Sequence, residues 1–150
     1  DAVEHTIVSA EPEAMAARAL IAPGIAAKFP TGFPSLKGRP TPGRLAALAE
    51  ALKPYDLVCT YNWGAMDVAM AHTAFAKPYG LPPLVHHEDG FNEDEAGGLK
   101  TRRNLYRRAA LRGASRVIVP SCTWLSRKPA LVMRTKRARS CKSGMVRDPV

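Results

Sequence analysis

Two adjacent histidines and five acidic residues stand within residues 86–95. His86 and His87 end a short apolar run, and the acids begin with Glu88 and Asp89. Such groups can ligate a metal ion, exchange protons as paired carboxylates, or hydrogen-bond a hydroxylated ligand. A metal site is disfavoured, because adjacent strand residues point to opposite faces and the sequence has no HExxH or spaced Cys/His pattern.

The interpretation we favour is the polar rim of a binding cleft. Either His86 or His87 faces the cleft and hydrogen-bonds a ligand hydroxyl. Glu88 or Asp89 then orients that imidazole or binds a second hydroxyl. Two alternatives stay open: a catalytic acid pair, although acids on a glycine-bounded loop are usually solvated, and a helix N-terminus in which the acids at 94–95 favour the positive end of the dipole.

Alternating apolar runs and helical stretches surround these groups and must position them. The order is typical of an α/β fold, a doubly wound and mostly parallel sheet with helices on both faces. The strands are expected to be apolar throughout and buried, Cys59 included. Strands are predicted over 4–10, 24–30, 55–62, 81–87 and 115–121, and helices over 11–22, 41–55, 63–80 and 99–114.

In such sheets, ligands bind beyond the carboxyl ends of the strands. This rule selects Asn62 and Trp63, the segment from His86 to Asp89, and Ser121. Asn62 and Ser121 could instead cap the helices that follow them. Trp63 could stack on a ligand ring or pack into the core.

Charge and cysteine content limit the class of protein. The 150 residues carry a net charge of +9, but residues 126–150 hold eight basic residues and one acid. The sequence therefore predicts a nearly neutral domain over 1–125 followed by a basic tail. Three cysteines without paired spacing, and no apolar run near the 20 or so residues that span a bilayer, favour a cytoplasmic protein without a signal peptide.

Three segments together resemble a known enzyme family. They are DLVCTYNWGAMDVAMAH at 56–72, PLVHHEDGFNEDEA at 83–96 and RRAALRGASRVIVPS at 107–121. In this order they resemble the N-terminal half of a family-4-type glycosyltransferase, which has the GT-B architecture of two Rossmann-like domains facing a cleft. The resemblance covers about residues 4–125, and it lacks the family's first strand and its C-terminal domain.

The resemblance implies an acceptor-side domain. The intact enzyme would transfer a sugar from a nucleotide-sugar donor to a hydroxyl of a sugar or lipid-linked acceptor, at the inner membrane surface. His86 or His87 would line the acceptor cleft, with Asn62, Trp63 and the neighbouring acids. No metal or other cofactor is implied for this domain, and its donor-binding partner domain is missing from the match. We therefore expect no transfer by this chain alone.

The segment 126–150 departs from the family pattern. Its Arg, Lys and Ser content fits either a shifted reading frame in the coding DNA or a disordered tail. The alternative function is a non-enzymatic α/β binding module whose tail contacts anionic membrane or nucleic acid. Nucleic acid is disfavoured, because the tail lacks interleaved aromatic residues.

The helix predicted over 99–114 carries five arginines, which are expected to form mostly a solvated face that could also contact anionic lipid. They are Arg102, Arg103, Arg107, Arg108 and Arg112.

Overall fold

The computed structural model describes residues 3–13, 16–88 and 100–119. They form a mixed α/β structure in which helices surround two small parallel sheets. The first sheet has two strands and the second has three. The strands are β1 (Glu4–Thr6), β2 (Ala26–Lys28), β3 (Val58–Tyr61), β4 (Leu84–His87) and β5 (Arg116–Ile118).

Three α-helices follow the predicted stretches. They are α1 (Pro42–Leu52), α2 (Met66–Tyr79) and α3 (Thr101–Ala110). Short 3₁₀ segments, Trp63–Ala65 and Leu111–Gly113, precede α2 and extend α3. The stretch predicted as a helix over 11–22 contains a 3₁₀ segment, Ala16–Leu20. None of the described helices has the length and apolar character that crossing a bilayer requires.

Local sequence signals explain where α1 begins and where α2 ends. The Thr41 hydroxyl accepts a hydrogen bond from the backbone N–H of Arg44, and proline occupies the first helical position of α1. At the end of α2, Gly80 has φ 61°, the left-handed conformation that glycine adopts without penalty. The start of α1 and the end of α2 are therefore occupied by residues suited to those positions.

Strand β4 is the centre of the larger sheet, with β3 on one side and β5 on the other. Burial alternates along β3: Val58 and Thr60 are buried, whereas Cys59 and Tyr61 are exposed. The prediction that Cys59 is buried is wrong. The apolar cluster from α1, α2 and the end of α3 covers one face of β3, and along the strand only every second side chain points to that face.

The junction between α2 and the end of α3 depends on a glycine. Thr73 Oγ1 donates to the carbonyl of Ala110 at 2.5 Å and accepts from the N–H of Gly113 at 3.0 Å. A Cβ on Gly113 would lie 2.6 Å from that Oγ1 and 3.0 Å from the Thr73 Cα. The close approach of the two backbones thus leaves no room for a side chain.

The substitution Gly113→Ala should therefore lower the free energy of unfolding by about 1–2 kcal/mol, since the clash involves backbone that cannot move freely. The matched control is Gly43→Ala in α1, where nothing lies within 4 Å of the added Cβ. There, alanine should be neutral or should stabilise by up to about 1 kcal/mol. Urea unfolding of both variants tests this, and equal effects would contradict the clash.

Candidate functional site

The carboxyl ends of the three strands of the larger sheet meet at one edge. Beyond the last ladder positions, the N–H of Asn62 donates to the carbonyl of His87 at 2.9 Å. The N–H of Glu88 donates to the carbonyl of Ile118, also at 2.9 Å. Asn62 and Glu88 therefore lie at the same edge, as the rule for parallel sheets predicts.

A buried polar chain runs from β3 through β4 to this edge. Thr60 Oγ1 lies 2.9 Å from His86 Nδ1, and His86 Nε2 lies 3.5 Å from Glu88 Oε2. His86 is 0% exposed and Glu88 is 4% exposed. An ionised carboxylate only accepts hydrogen bonds, so in the neutral imidazole Nε2 carries the proton and the Thr60 hydroxyl donates to Nδ1. Both imidazole nitrogens thus have partners inside the protein.

Arg107 of α3 adds a cation to this polar chain, and Thr60, His86, Glu88 and Arg107 together form what we call the Glu88 cluster. The side chain of Arg107 is 2% exposed, and its Nε lies 3.7 Å from Glu88 Oε2. One of its terminal nitrogens donates to the Asn104 side-chain oxygen at 3.3 Å. A buried guanidinium is strongly disfavoured unless it is paired, and the carboxylate of Glu88 provides that pairing. Arg107 therefore neutralises the charge that Glu88 brings into the interior.

The two oxygens of Glu88 have different surroundings. Oε2 faces both His86 and Arg107. Oε1 is inaccessible to solvent, and among the described residues it has no hydrogen-bond partner. A buried carboxylate oxygen without a donor costs about 1–3 kcal/mol, more for a charged group. Such an oxygen is suited to accept a hydrogen bond from a ligand.

Trp63 forms one wall of the cluster. The guanidinium of Arg107 lies 4.9 Å from its ring centroid and that of Arg103 lies 5.1 Å away. Tyr106 meets the same ring edge to face at 6.0 Å. Trp63 is half-buried and packs against the apolar core. Its ring is thus already engaged by protein groups, which favours the packing alternative over stacking on a ligand.

A second polar cluster connects the three helices α1, α2 and α3. Asp67 of α2 pairs with Arg44 of α1 at 2.5 Å and accepts from the Tyr106 hydroxyl of α3 at 2.7 Å. Burial raises the pKa of Tyr106, and so do its hydrogen bond to Asp67 and the negative charge there; the positive charge of Arg44 lowers it by less. The phenol is therefore held in its neutral, donating form.

The structure separates the two histidines. His86 points to the helix-covered face, whereas His87 is half-buried on the other face, where its ring meets that of Tyr61 at 5.6 Å.

Three of the predicted site residues lie in one connected group. Arg107 contacts both Trp63 and Glu88, and Glu88 contacts His86. Asn62 lies at the same edge with φ 52°, and it occupies the cap position before the 3₁₀ segment without a capping side-chain hydrogen bond. Asp89 and Ser121, also predicted for the site, lie outside the described residues.

Sequence reasoning missed Thr60 and assigned Arg107 to a mostly solvated face. Arg102, Arg108 and Arg112 are exposed as expected, but Arg107 is buried. The spacing held a signal for this, because Ala110 and Leu111 follow Arg107 by three and four positions and are themselves buried. Thr60 carried a signal too, since it stands two residues after Val58 on the buried face of β3.

In residues 3–13, 16–88 and 100–119, no group of three His, Cys, Asp or Glu side chains is placed to hold a metal ion. The carboxylate of Glu88 lies beside one imidazole, that of His86, and the guanidinium of Arg107 already faces its Oε2. The described cluster is therefore suited to hydrogen-bond a neutral ligand group.

Comparison of the chain with protein-family models, with characterised proteins and with solved structures found no match.

Proposed function

We propose that this chain is the acceptor-side domain of a GT-B glycosyltransferase and that the cluster around Glu88 binds an acceptor hydroxyl. In the intact enzyme, a sugar would pass from a nucleotide-sugar donor, held by a second domain, to that hydroxyl. The two small parallel sheets would be parts of the doubly wound sheet that this architecture requires. The acceptor would be a sugar or a lipid-linked sugar.

One observation carries the proposal: Glu88 offers a buried carboxylate oxygen that no described residue uses. Its other oxygen is fixed by the imidazole of His86 and the guanidinium of Arg107. A sugar hydroxyl donates the single O–H that such an oxygen lacks. A fixed, charged acceptor in a dry surrounding binds a hydroxyl more strongly than an exposed carboxylate would.

The position of the cluster supports the same function. Glu88 follows the carboxyl end of β4, the central strand, where ligands of parallel α/β sheets bind. His86 takes a positioning role in this proposal, because both of its ring nitrogens already face protein partners, Thr60 and Glu88. It would orient the carboxylate and leave contact with the ligand to Glu88.

The test is saturation-transfer NMR with methyl α-D-glucopyranoside and methyl α-D-mannopyranoside as probes. We expect the full chain to transfer saturation to at least one of them. The substitution Glu88→Gln keeps the shape but removes the charged acceptor, and it should weaken binding by about tenfold or more, since hydrogen bonds to charged groups contribute about 1.5–3 kcal/mol.

The matched control is Glu50→Gln, which neutralises an exposed glutamate of α1 paired with Lys53. It should leave the saturation transfer unchanged. Circular dichroism and thermal melting of each variant separate loss of binding from loss of folding. Binding of neither glycoside by the folded wild-type chain, or equal binding by wild type and Glu88→Gln, would contradict the proposal.

A further inference from the structure

A cavity of about 430 Å³ lies beside the turn that joins β3 to α2. Its walls come from the segment 7–10 after β1, from Phe29 after β2, and from Cys59, Tyr61 and the segment 64–65 around the end of β3. It therefore opens beyond the carboxyl ends of strands from both sheets. Its volume falls within the range of about 300–1,000 Å³ found for small-molecule sites.

The lining is mainly apolar, with one cation. Ile7, Ile21, Phe29 and Leu36 are among its apolar lining residues, and Arg18 is the charged residue among the described residues that line the cavity. The guanidinium of Arg18 lies 4.6 Å from the centroid of the Phe29 ring. A guanidinium held over an aromatic face keeps N–H groups with which it can pair with an anion.

The polar groups of the lining argue against a ligand with many hydroxyls. The Ser9 hydroxyl donates to the carbonyl of Glu11 at 3.1 Å and accepts from its N–H at 3.0 Å, so it is used locally. Within the described part of the chain, Arg18 forms no ion pair with a carboxylate and remains available to neutralise a ligand charge. The complementary ligand thus has an apolar body and one negative group.

We propose that this cavity binds an amphipathic monoanion, a compound with an aromatic or aliphatic body and one carboxylate or sulfonate group. The body lies against Ile7, Ile21 and Leu36, and the anionic group pairs with Arg18. The site is independent of the glycosyl-acceptor function proposed above, because it shares no side chain with the Glu88 cluster. The two proposals can fail separately.

Two probes with the same aromatic body test the charge requirement. One is 8-anilino-1-naphthalenesulfonate, and the other is N-phenyl-1-naphthylamine, which lacks the sulfonate. Occupancy is read at Cys59, an exposed thiol in the cavity wall, through the rate of its alkylation by iodoacetamide. Cys122 and Cys141 are first replaced by serine, so that Cys59 is the one thiol that reacts. The alkylation rate of Cys59 does not respond to probe that is bound only to the basic tail.

The sulfonate probe should slow alkylation of Cys59 several-fold at saturation and should do so at lower concentration than the neutral probe. The substitution Arg18→Gln should weaken protection by the sulfonate probe about tenfold and leave the neutral probe within about twofold. Arg39→Gln, in the exposed loop before α1, is the control and should change neither. Absence of protection, equal protection by both probes, or protection that survives Arg18→Gln would overturn the proposal.

Discussion

Replacing Arg107 by methionine is expected to lower the free energy of unfolding by about 3–5 kcal/mol. The substitution keeps much of the side-chain volume but leaves the Glu88 carboxylate buried without its cation, the situation that makes broken buried ion pairs so costly. Loss of the contact with the Trp63 ring adds to the effect. Urea unfolding followed by circular dichroism measures it.

A double-mutant cycle separates the charge from the packing. Glu88→Gln combined with Arg107→Met removes both charges and should be less destabilising than the sum of the single substitutions by about 1 kcal/mol or more. Arg108→Met, at the exposed neighbouring position, should change stability by less than about 0.5 kcal/mol. If Arg107→Met resembles Arg108→Met, Arg107 does not neutralise Glu88.

The substitution Asp67→Asn should lower the free energy of unfolding by about 2 kcal/mol, because it removes the negative charge that contacts both Arg44 and Tyr106. The two side chains of the ion pair are 17% and 18% exposed, so solvent screens the pair in part and the loss is smaller than for Glu88 and Arg107. Asp56→Asn, at an exposed position before β3, serves as the control and should leave stability nearly unchanged.

The same substitution should change how Tyr106 titrates. In the wild type, burial and Asp67 raise the pKa of Tyr106 above its ordinary value of 10.0. A group whose pKa is raised on folding stabilises the protein fully below its unfolded pKa, and that stability is lost as the pH rises beyond it. The Asp67 contribution should therefore decline above pH 10.0. Phenolate absorbance should appear at lower pH in Asp67→Asn, and identical titrations would contradict this.

The order of elements was accessible from the sequence, because it depends on local signals. Thr41 and Gly80 mark helix ends, and short apolar runs mark β3, β4 and β5. The number and pairing of sheets depend on which strands meet in space, and the sequence carried no comparable local signal for this. The same limit explains Cys59: an apolar run predicts a buried strand, but which neighbours cover each face is decided by tertiary packing.

The candidate site was predicted in part. His86 and Glu88 were found because their types and their position after an apolar run are local properties. Arg107 lies about twenty residues further along the chain, and its meeting with Glu88 depends on how α3 packs against the sheet. Likewise, the choice between His86 and His87 required the register of β4, since a shift by one residue exchanges the two faces.

The central place of β4 has a consequence for when the Glu88 cluster exists. Its backbone pairs with β3 on one side and β5 on the other, and these partners stand about thirty residues away in each direction. Because such long loops must close first, we expect the strand to form late and cooperatively and its amide hydrogens to exchange only through global opening. A partly folded chain that kept α1 and α2 packed would thus lack the Glu88 cluster.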